Sequence, residues 1–274
     1  MSELQALEHD ARHSGDVSVF VGTRPPAFTG RRHLAGGAWI SAVLDLVFPA
    51  VCPVCGAILG SARRDPLCGD CWAAIERAGR PLCARCGVLT VEAAAAVTVT
   101  SCRACEEAPP TFDYARAAAR YRGPLREAMH AFKFRGKRLL ARALGDLVLE
   151  ECADALCMDA VVLVPVPLTR DRQRERGYNQ AELLAEQIGA GLDLPVRGRW
   201  LRRVRSTVPQ TDLTAIERRT NVRGAFTASP AVSGRHVVIV DDVFTTGATV
   251  EECARVLRAA GAARVGVLTV ARVP

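Results

Sequence analysis

The chain has 274 residues, enough for one large domain or for an ordinary domain with a small companion. Hydrophobic residues make up 49% and charged residues 24%, which excludes collagen, a coiled coil or disorder over the whole length. Two counts depart from average: there are 11 cysteines, and 36 Lys and Arg face 29 Asp and Glu, a net charge of +7. Only Lys133 and Lys137 are lysines. Arginine favours bidentate phosphate binding, although a GC-rich genome produces the same bias.

The first segment, residues 1–37, is polar and interrupted by glycine and proline, so we predict a disordered tail. Residues 1–7 lack the apolar core of a secretory signal. The best apolar run, 38–54, contains an aspartate and two prolines and is shorter than the ~20 residues of a membrane-spanning helix. We therefore expect a cytoplasmic protein without membrane insertion, in a compartment where structural disulfides are rare.

Four Cys-x-x-Cys pairs lie in the next segment, 38–110, which is predicted to be a small cysteine-rich zinc-ribbon domain. The arrangement repeats, because CPVCG is followed by LCGDC and CARCG by SCRAC. The two-residue spacing lets a tight turn direct both sulfurs at one ion, and two pairs complete a tetrahedral Cys₄ zinc site. Disulfides, a redox-active pair and an iron–sulfur cluster are the alternatives. The predicted zinc ligands are Cys52, Cys55, Cys68, Cys71, Cys83, Cys86, Cys102 and Cys105.

Pairing in sequence order gives two zinc sites, while interleaved pairing or a single occupied site is left open by the spacing. We expect structural zinc, because four thiolates leave no coordination position for a substrate. A segment of about 60 residues buries too little apolar surface to fold well alone, so the metal supplies stability. The other three cysteines, Cys152, Cys157 and Cys253, lie in apolar, helical contexts and are predicted core residues.

From residue 111 to 274 the pattern predicts an α/β domain. Continuous apolar strands that alternate with helices indicate a parallel sheet covered on both faces. We predict helices at 124–132, 138–157, 178–190 and 247–260, and strands at 160–165, 236–242 and 264–270.

The segment VVIVDDVFTTGATVEE carries the chemistry of this domain. Its strand delivers Asp241 and Asp242 to the sheet edge at which open α/β sheets bind ligands. The following residues, 245–249, provide three hydroxyls, a glycine and the free amides of a helix N-terminus, which suit a phosphomonoester. Adjacent carboxylates suit a vicinal diol such as ribose, so a sugar 5-phosphate matches both halves. A threonine N-cap after a strand explains only one threonine and one aspartate.

The sequence VVIVDDVFTTGAT resembles the phosphoribosyl pyrophosphate (PRPP) loop of type I phosphoribosyltransferases over all thirteen residues. Phe244 is bulkier than the aliphatic residue usual there. With VLVPVPLTRDRQRERGYNQAELLA and the cysteine pairs, the chain resembles the ComF family of competence proteins over roughly residues 39–272. That family joins a double zinc ribbon to a type I phosphoribosyltransferase-like domain.

The resemblance implies a PRPP site with Asp241 and Asp242 as catalytic residues on the ribose hydroxyls, and with Mg²⁺ held mostly by substrate oxygens. The arginine-rich turn 170–178 falls where the pyrophosphate loop lies, without the short glycine-rich form of nucleobase-salvage enzymes. Residues 205–219 resemble the flexible loop that closes such sites. The implied 5-phosphate ligands are Thr245, Thr246, Gly247, Ala248 and Thr249, and the implied pyrophosphate ligands are Arg172, Arg174 and Arg176.

The excess positive charge lies in two stretches. Residues 112–142 hold nine Arg and Lys against two Asp and Glu, and residues 197–223 hold eight against two. Tyr121, Phe132 and Phe134 lie among the cations of the first stretch, a combination typical of binding to single-stranded nucleic acid. A solvated helix face and complementarity to PRPP explain the same charge.

Two functions follow. The first is a PRPP-binding phosphoribosyltransferase, a glycosyltransferase with an unknown acceptor, that serves DNA uptake in natural transformation as the family resemblance implies. The second is a non-catalytic accessory protein of DNA uptake that binds single-stranded DNA and keeps PRPP as a ligand. The resemblance also implies other competence proteins as partners.

Overall fold

A computed structural model describes residues 50–59, 66–90, 101–156, 161–205 and 214–273. All of them belong to one compact unit, 42–274. The predicted tail, Cys157 and the middle of the predicted flexible loop lie outside the described residues. Within the described ranges, no helix is both long and apolar enough to cross a membrane.

Two short helices accompany the cysteine pairs, α1 (Gly69–Ala73) and α2 (Arg103–Glu107). Each follows a cysteine that serves as its N-cap, Cys68 for α1 and Cys102 for α2. The sequence repeat is therefore also a structural repeat, in which the second pair of each unit begins a single helical turn.

The remaining elements form an α/β domain in which helices alternate with strands. In chain order they are β1 (Tyr114–Arg120), α3 (Gly123–Phe134), α4 (Leu140–Cys152), β2 (Val161–Pro165), α5 (Arg170–Arg176), α6 (Gln180–Leu192), β3 (Leu201–Arg203), α7 (Ala215–Val222), β4 (Phe226–Ala228), β5 (His236–Phe244), α8 (Ala248–Ala259) and β6 (Arg264–Arg272).

Four strands form one parallel sheet in the order β1-β6-β5-β2. All five residues of β2 are buried, and so are the first five of β5, because helices cover both faces of the sheet. One core cluster contains residues of α3, α4 and α6, and a second contains residues of α8. The predicted parallel sheet is confirmed, and it places the carboxyl end of β5 beside that of β2.

Three strands were not predicted from the sequence. Strand β1 is alanine-rich and forms at the sheet edge by pairing with β6, while the three-residue strands β3 and β4 pair with each other. The predicted arginine-rich turn is instead helix α5. Thr169 caps its first turn by accepting a hydrogen bond from the Arg172 amide at 3.3 Å, and Gly177 ends the helix with φ 75°.

Candidate functional site

The eight paired cysteines form two groups of four, and within each group all sulfurs lie within 4.8 Å of one another. The first four cysteines make one group and the last four the other, so the pairing is in sequence order. The sulfurs of Cys55 and Cys68 are 3.5 Å apart, and those of Cys86 and Cys102 are 3.7 Å apart. Tetrahedral zinc with Zn–S bonds of ~2.3 Å holds its sulfurs about 3.8 Å apart, so both groups fit the ion.

Backbone amides surround the first cysteine of each group. Burial raises the pKa of the Cys52 thiol, but hydrogen bonds from the amides of Cys68, Cys55 and Val54 outweigh it and lower the pKa to about 6. The same balance lowers the pKa of Cys83 to about 7. At these two cysteines the fold therefore favours the thiolate, which is the form that binds zinc. Burial and the neighbouring thiols instead raise the pKa of Cys71 and Cys105, so the fold does not favour the thiolate there without the ion.

The first Cys-x-x-Cys pair of each group and the turn around it form a zinc knuckle, and the two knuckles differ in what they contact. Gly56 and Gly87 follow the first pair of each repeat, with φ of 75° and 69°. A Cβ atom on Gly87 would lie 2.3 Å from the carbonyl oxygen of Ala115 in β1, whereas one on Gly56 would meet nothing within 4 Å. The Ala115 amide also donates to the carbonyl of Arg85 at 2.6 Å, so the second knuckle lies directly against the sheet.

We expect Gly87→Ala to lower the free energy of unfolding by about 3 kcal/mol, since it combines a left-handed backbone with a backbone clash. Gly56→Ala is the matched control and should cost about 1 kcal/mol, from the backbone conformation alone. Urea denaturation of both zinc-loaded variants measures the difference, and equal losses would contradict the close packing at Gly87.

A cleft of about 180 Å³ lies beyond the carboxyl ends of β2 and β5. Asp241 and Asp242 reach it from β5, and the Asp242 amide donates to Asp241 Oδ1 at 2.8 Å. Lys133 Nζ lies 2.9 Å from Asp242 Oδ1, and both side chains are largely buried. Burial, followed by the charge of Asp242, raises the pKa of Asp241 to about 7. Perturbed carboxyls in a cleft are typical of functional sites.

The loop after β5 forms the floor of the cleft. Gly247 is the N-cap of the twelve-residue helix α8 and has φ 77°, a conformation that favours glycine. Thr246 Oγ1 accepts a hydrogen bond from the Ala248 amide at 3.5 Å. A helix N-terminus that opens into a cleft favours an anion such as phosphate. The loop residues that line the cleft are Thr245, Gly247, Ala248 and Thr249.

Two of the three implied pyrophosphate ligands, Arg172 and Arg176, line the cleft from α5. Arg174 points away from it, with four-fifths of its side chain exposed and an ion pair to Asp171 at 3.9 Å. The difference follows from the helix, since residues two apart on α5 lie on nearly opposite faces. In an extended segment, by contrast, residues 172, 174 and 176 would all lie on one side.

The cleft also contains Lys133, Gln180 and Arg203, which the sequence pattern did not predict as site residues. The Gln180 carbonyl oxygen accepts from Arg176 Nη1 at 3.0 Å, while its amide nitrogen is buried with no hydrogen-bond partner among the described residues. A buried donor of this kind suits a ligand oxygen. Lys133 carried a signal in the sequence, because it is one of only two lysines.

An exposed aromatic lies beside the cleft. Phe134 is 59% exposed, with the Arg176 guanidinium 5.1 Å from its ring centroid and the His130 ring 4.9 Å away. The other two aromatics of the predicted nucleic-acid surface do not share this exposure. Phe132 is fully buried and Tyr121 packs partly buried against the same core cluster, so that surface is reduced to Phe134 and its cations.

Residues 43–107 match the family model of the double zinc ribbon domain, and residues 176–274 match that of the phosphoribosyl transferase domain. The DNA utilization protein YhgH of Escherichia coli K12 is 34% identical over 231 residues, which cover 83% of this chain and 99% of that protein. Competence protein F of Haemophilus influenzae is 32% identical over 76% of this chain and 91% of its own length.

Among solved structures, the glutamine PRPP amidotransferase of Bacillus subtilis matches 47% of this chain and 25% of its own, with 24% identity and a TM-score of 0.33. The ribbon match and the two Cys₄ groups together support structural zinc in this region. The full-length match to the relatives, together with both domain matches, shows that the chain belongs to the ComF family.

Proposed function

We propose that the protein binds PRPP together with Mg²⁺ in the cleft beyond β2 and β5 and transfers the phosphoribosyl group to an acceptor. One observation carries this proposal: a single cleft contains the acidic pair of β5, the N-terminus of α8 and four cationic side chains. A phosphorylated ribose that bears a pyrophosphate needs each of these. The four cations are Lys133, Arg172, Arg176 and Arg203.

Each part of PRPP has a complementary part of the cleft. The ribose hydroxyls donate to the carboxylates of Asp241 and Asp242, and the 5-phosphate accepts hydrogen bonds from the amides at the start of α8. The pyrophosphate faces Arg172 and Arg176, with the unpaired amide nitrogen of Gln180 between helix and ligand as a further donor. Lys133 balances the charge of Asp242.

Transfer breaks the bond between C1 of the ribose and the pyrophosphate oxygen, and the electron pair leaves with the pyrophosphate. The acceptor attacks C1 and loses its proton, through an oxocarbenium-like state as in glycoside cleavage. The chain's arginines stabilise the negative charge that develops on the leaving group. Mg²⁺, bound mainly by substrate oxygens beside the two carboxylates, would neutralise further charge.

Titration calorimetry with PRPP and Mg²⁺ tests the proposal. Asp242→Asn removes a charged hydrogen-bond acceptor while keeping the shape, so we expect affinity to fall about 10- to 100-fold. Arg174→Met is the matched control, because its side chain lies outside the cleft and should leave affinity unchanged. No binding by the native protein, or equal affinity of Asp242→Asn and the native protein, would refute the site. Pyrophosphate release against nucleobases, amines and DNA then measures turnover.

We also propose, as a second function, that the protein binds single-stranded DNA in natural transformation. The exposed ring of Phe134, with Arg176 over it, offers a base a stacking surface next to cations. Its relatives carry the names DNA utilization protein and competence protein, which supports this role. Because Arg176 also lines the cleft, DNA and PRPP would lie side by side.

A titration with single-stranded DNA at two salt concentrations tests this second function. Binding should weaken steeply with salt, because phosphate contacts release counterions. Phe134→Ala should weaken binding about tenfold by removing one stacked base. Leu139→Ala, which shortens an even more exposed side chain without a ring, is the control. No binding at low salt, or equal losses in both variants, would contradict a stacking role for Phe134.

A further inference from the structure

The second zinc knuckle is connected to the loop 245–249, called the phosphate loop below, through Arg272, the last residue of β6. Arg272 Nη1 donates a hydrogen bond to the carbonyl oxygen of Cys86 at 2.6 Å. The same guanidinium lies 4.3 Å from the ring centroid of Phe244, the last residue of β5. One side chain therefore joins a zinc ligand to the strand that leads into the phosphate loop.

Phe244 supports that loop from beneath. A Cβ atom on Gly247 would lie 2.8 Å from the tip of the Phe244 ring, so the ring and the N-cap of α8 are in close contact. Phe112 also packs edge-on against Phe244, with ring centroids 6.2 Å apart. A shift of Phe244 would therefore displace the amides that receive the 5-phosphate.

A second connection reaches the same helix. The Thr111 amide donates to both carboxylate oxygens of Glu251, at 2.9 and 3.2 Å, and the Thr111 hydroxyl binds the same carboxylate. Glu251 lies in the first turn of α8, and Thr111 follows the last cysteine of the second group by six residues. The segment that follows the second ribbon is thus tied to the helix whose N-terminus opens into the cleft.

The two zinc groups pack against different faces of the sheet. Cys52, Cys68 and Cys71 of the first group belong to the core cluster of α3, α4 and α6. Cys86 of the second group packs against the other cluster, which contains Phe112 and Phe244. The structure therefore connects the second group, through its own packing, to the residues under the phosphate loop.

We propose that Arg272 is a positioning residue through which the second zinc group holds the phosphate loop in its binding geometry. This inference rests on the proposed binding of PRPP. Because coupling between two sites is reciprocal, zinc in the second group should strengthen PRPP binding, and PRPP should strengthen zinc binding by the same factor. The first group, on the other face, should not respond.

Zinc affinity is measured by competition with a chromophoric chelator, with and without PRPP and Mg²⁺. In the native protein PRPP should raise the affinity of one of the two zinc ions about tenfold. Arg272→Met should abolish that increase and weaken PRPP binding about tenfold, whereas Arg272→Lys, which keeps the charge but not the planar group, should fall between. Asp242→Asn should bind PRPP only weakly. Any effect of PRPP on zinc affinity that remains in this variant therefore comes from chelation of zinc by free PRPP.

Arg116→Met is the matched control. Arg116 Nη1 donates to the carbonyl of Ala84 in the same knuckle at 3.0 Å but points to the Tyr114 ring, away from the phosphate loop. It should keep both the coupling and the PRPP affinity. If Arg272→Met fails to fold, Phe244→Leu tests the same path, because it removes the ring while keeping an apolar side chain. We expect it to lose the coupling.

The outcomes separate the two proposals. If the native protein does not bind PRPP, the proposed function fails. If it binds PRPP but zinc affinity does not change, or if Arg272→Met behaves like Arg116→Met, PRPP binding stands and the coupling is refuted. Loss of the zinc response in Arg272→Met with its retention in Arg116→Met supports the coupling.

Discussion

Asp241→Asn is expected to stabilise the ligand-free protein at neutral and alkaline pH while it destroys PRPP affinity. Burial and the neighbouring charge of Asp242 raise the pKa of Asp241 to about 7. The ionised form of Asp241 therefore lowers the free energy of unfolding. Asparagine removes that cost and can still accept the hydrogen bond from the Asp242 amide. Its side chain cannot supply the negative charge that the proposed contacts to the ribose hydroxyls and Mg²⁺ require.

The sign of the pH dependence follows from linkage. An unfolded aspartate titrates near pH 4, and Asp241 in the fold titrates near 7, so the folded state binds the proton more tightly. Asp241 therefore lowers the stability of the native protein as the pH rises from about 4 to about 7. Below about pH 4 both states are protonated, and the native protein and the variant should then be equally stable on this account.

Thermal unfolding without PRPP, at about pH 4.5 and about pH 8, checks this expectation. At the higher pH we expect a gain of about 4 kcal/mol, or about 10 °C in Tm, and at the lower pH a gain of only about 1 kcal/mol. Calorimetry on the same variant should show PRPP affinity reduced at least about 10- to 100-fold. If the native protein and Asp241→Asn have the same Tm at each of the two pH values, Asp241 ionises in the fold without destabilising it.

The sequence was sufficient to predict the residues of a site wherever those residues lie close together along the chain. The zinc ligands come in pairs two residues apart, and the acidic pair and phosphate loop occupy nine consecutive residues, 241–249. Local spacing then determines which two sulfurs of one pair point at the same ion and which residues face a phosphate, whereas the combination of pairs into groups follows only from the fold. These parts of the two sites were predicted, and the structure brings each of them together.

The remaining residues come from distant elements, and no local pattern brings them together. Lys133 on α3 and Arg203 on β3 join the cleft only once the sheet order is known. Arg272 contacts a carbonyl 186 positions away in sequence. The helical phase matters as well, because Phe132 and Phe134 lie two residues apart and so point in nearly opposite directions, one into the core and one outward.

Removing the second zinc ion is expected to unfold its knuckle and leave the first intact. Cys83→Ser deletes one of the four thiolates of the second group. Structural zinc contributes about 10 to 16 kcal/mol in small zinc domains, as much as the whole net stability of a typical domain. Metal analysis should therefore find one zinc ion per chain in place of two.

Hydrogen exchange shows which of the two knuckles unfolds, because each knuckle contains an equivalent backbone hydrogen bond. The Gly87 amide donates to the Cys83 carbonyl at 3.0 Å, and the Gly56 amide donates to the Cys52 carbonyl at 2.9 Å. In Cys83→Ser the Gly87 amide should exchange freely while the Gly56 amide stays protected. Simultaneous loss at both would mean that the two zinc groups fold as one unit.

The matched control is Cys152→Ala, which truncates a cysteine as buried as Cys83 but outside both zinc groups. It should lower stability by the cost of a small cavity, about 1 kcal/mol, and should leave two zinc ions and both knuckle amides protected. If Cys83→Ser and Cys152→Ala behaved alike, burial of the side chain would explain the role of Cys83. A difference in zinc content and in the exchange of Gly87 alone is what metal ligation requires, because a cavity in the core has no reason to release an ion.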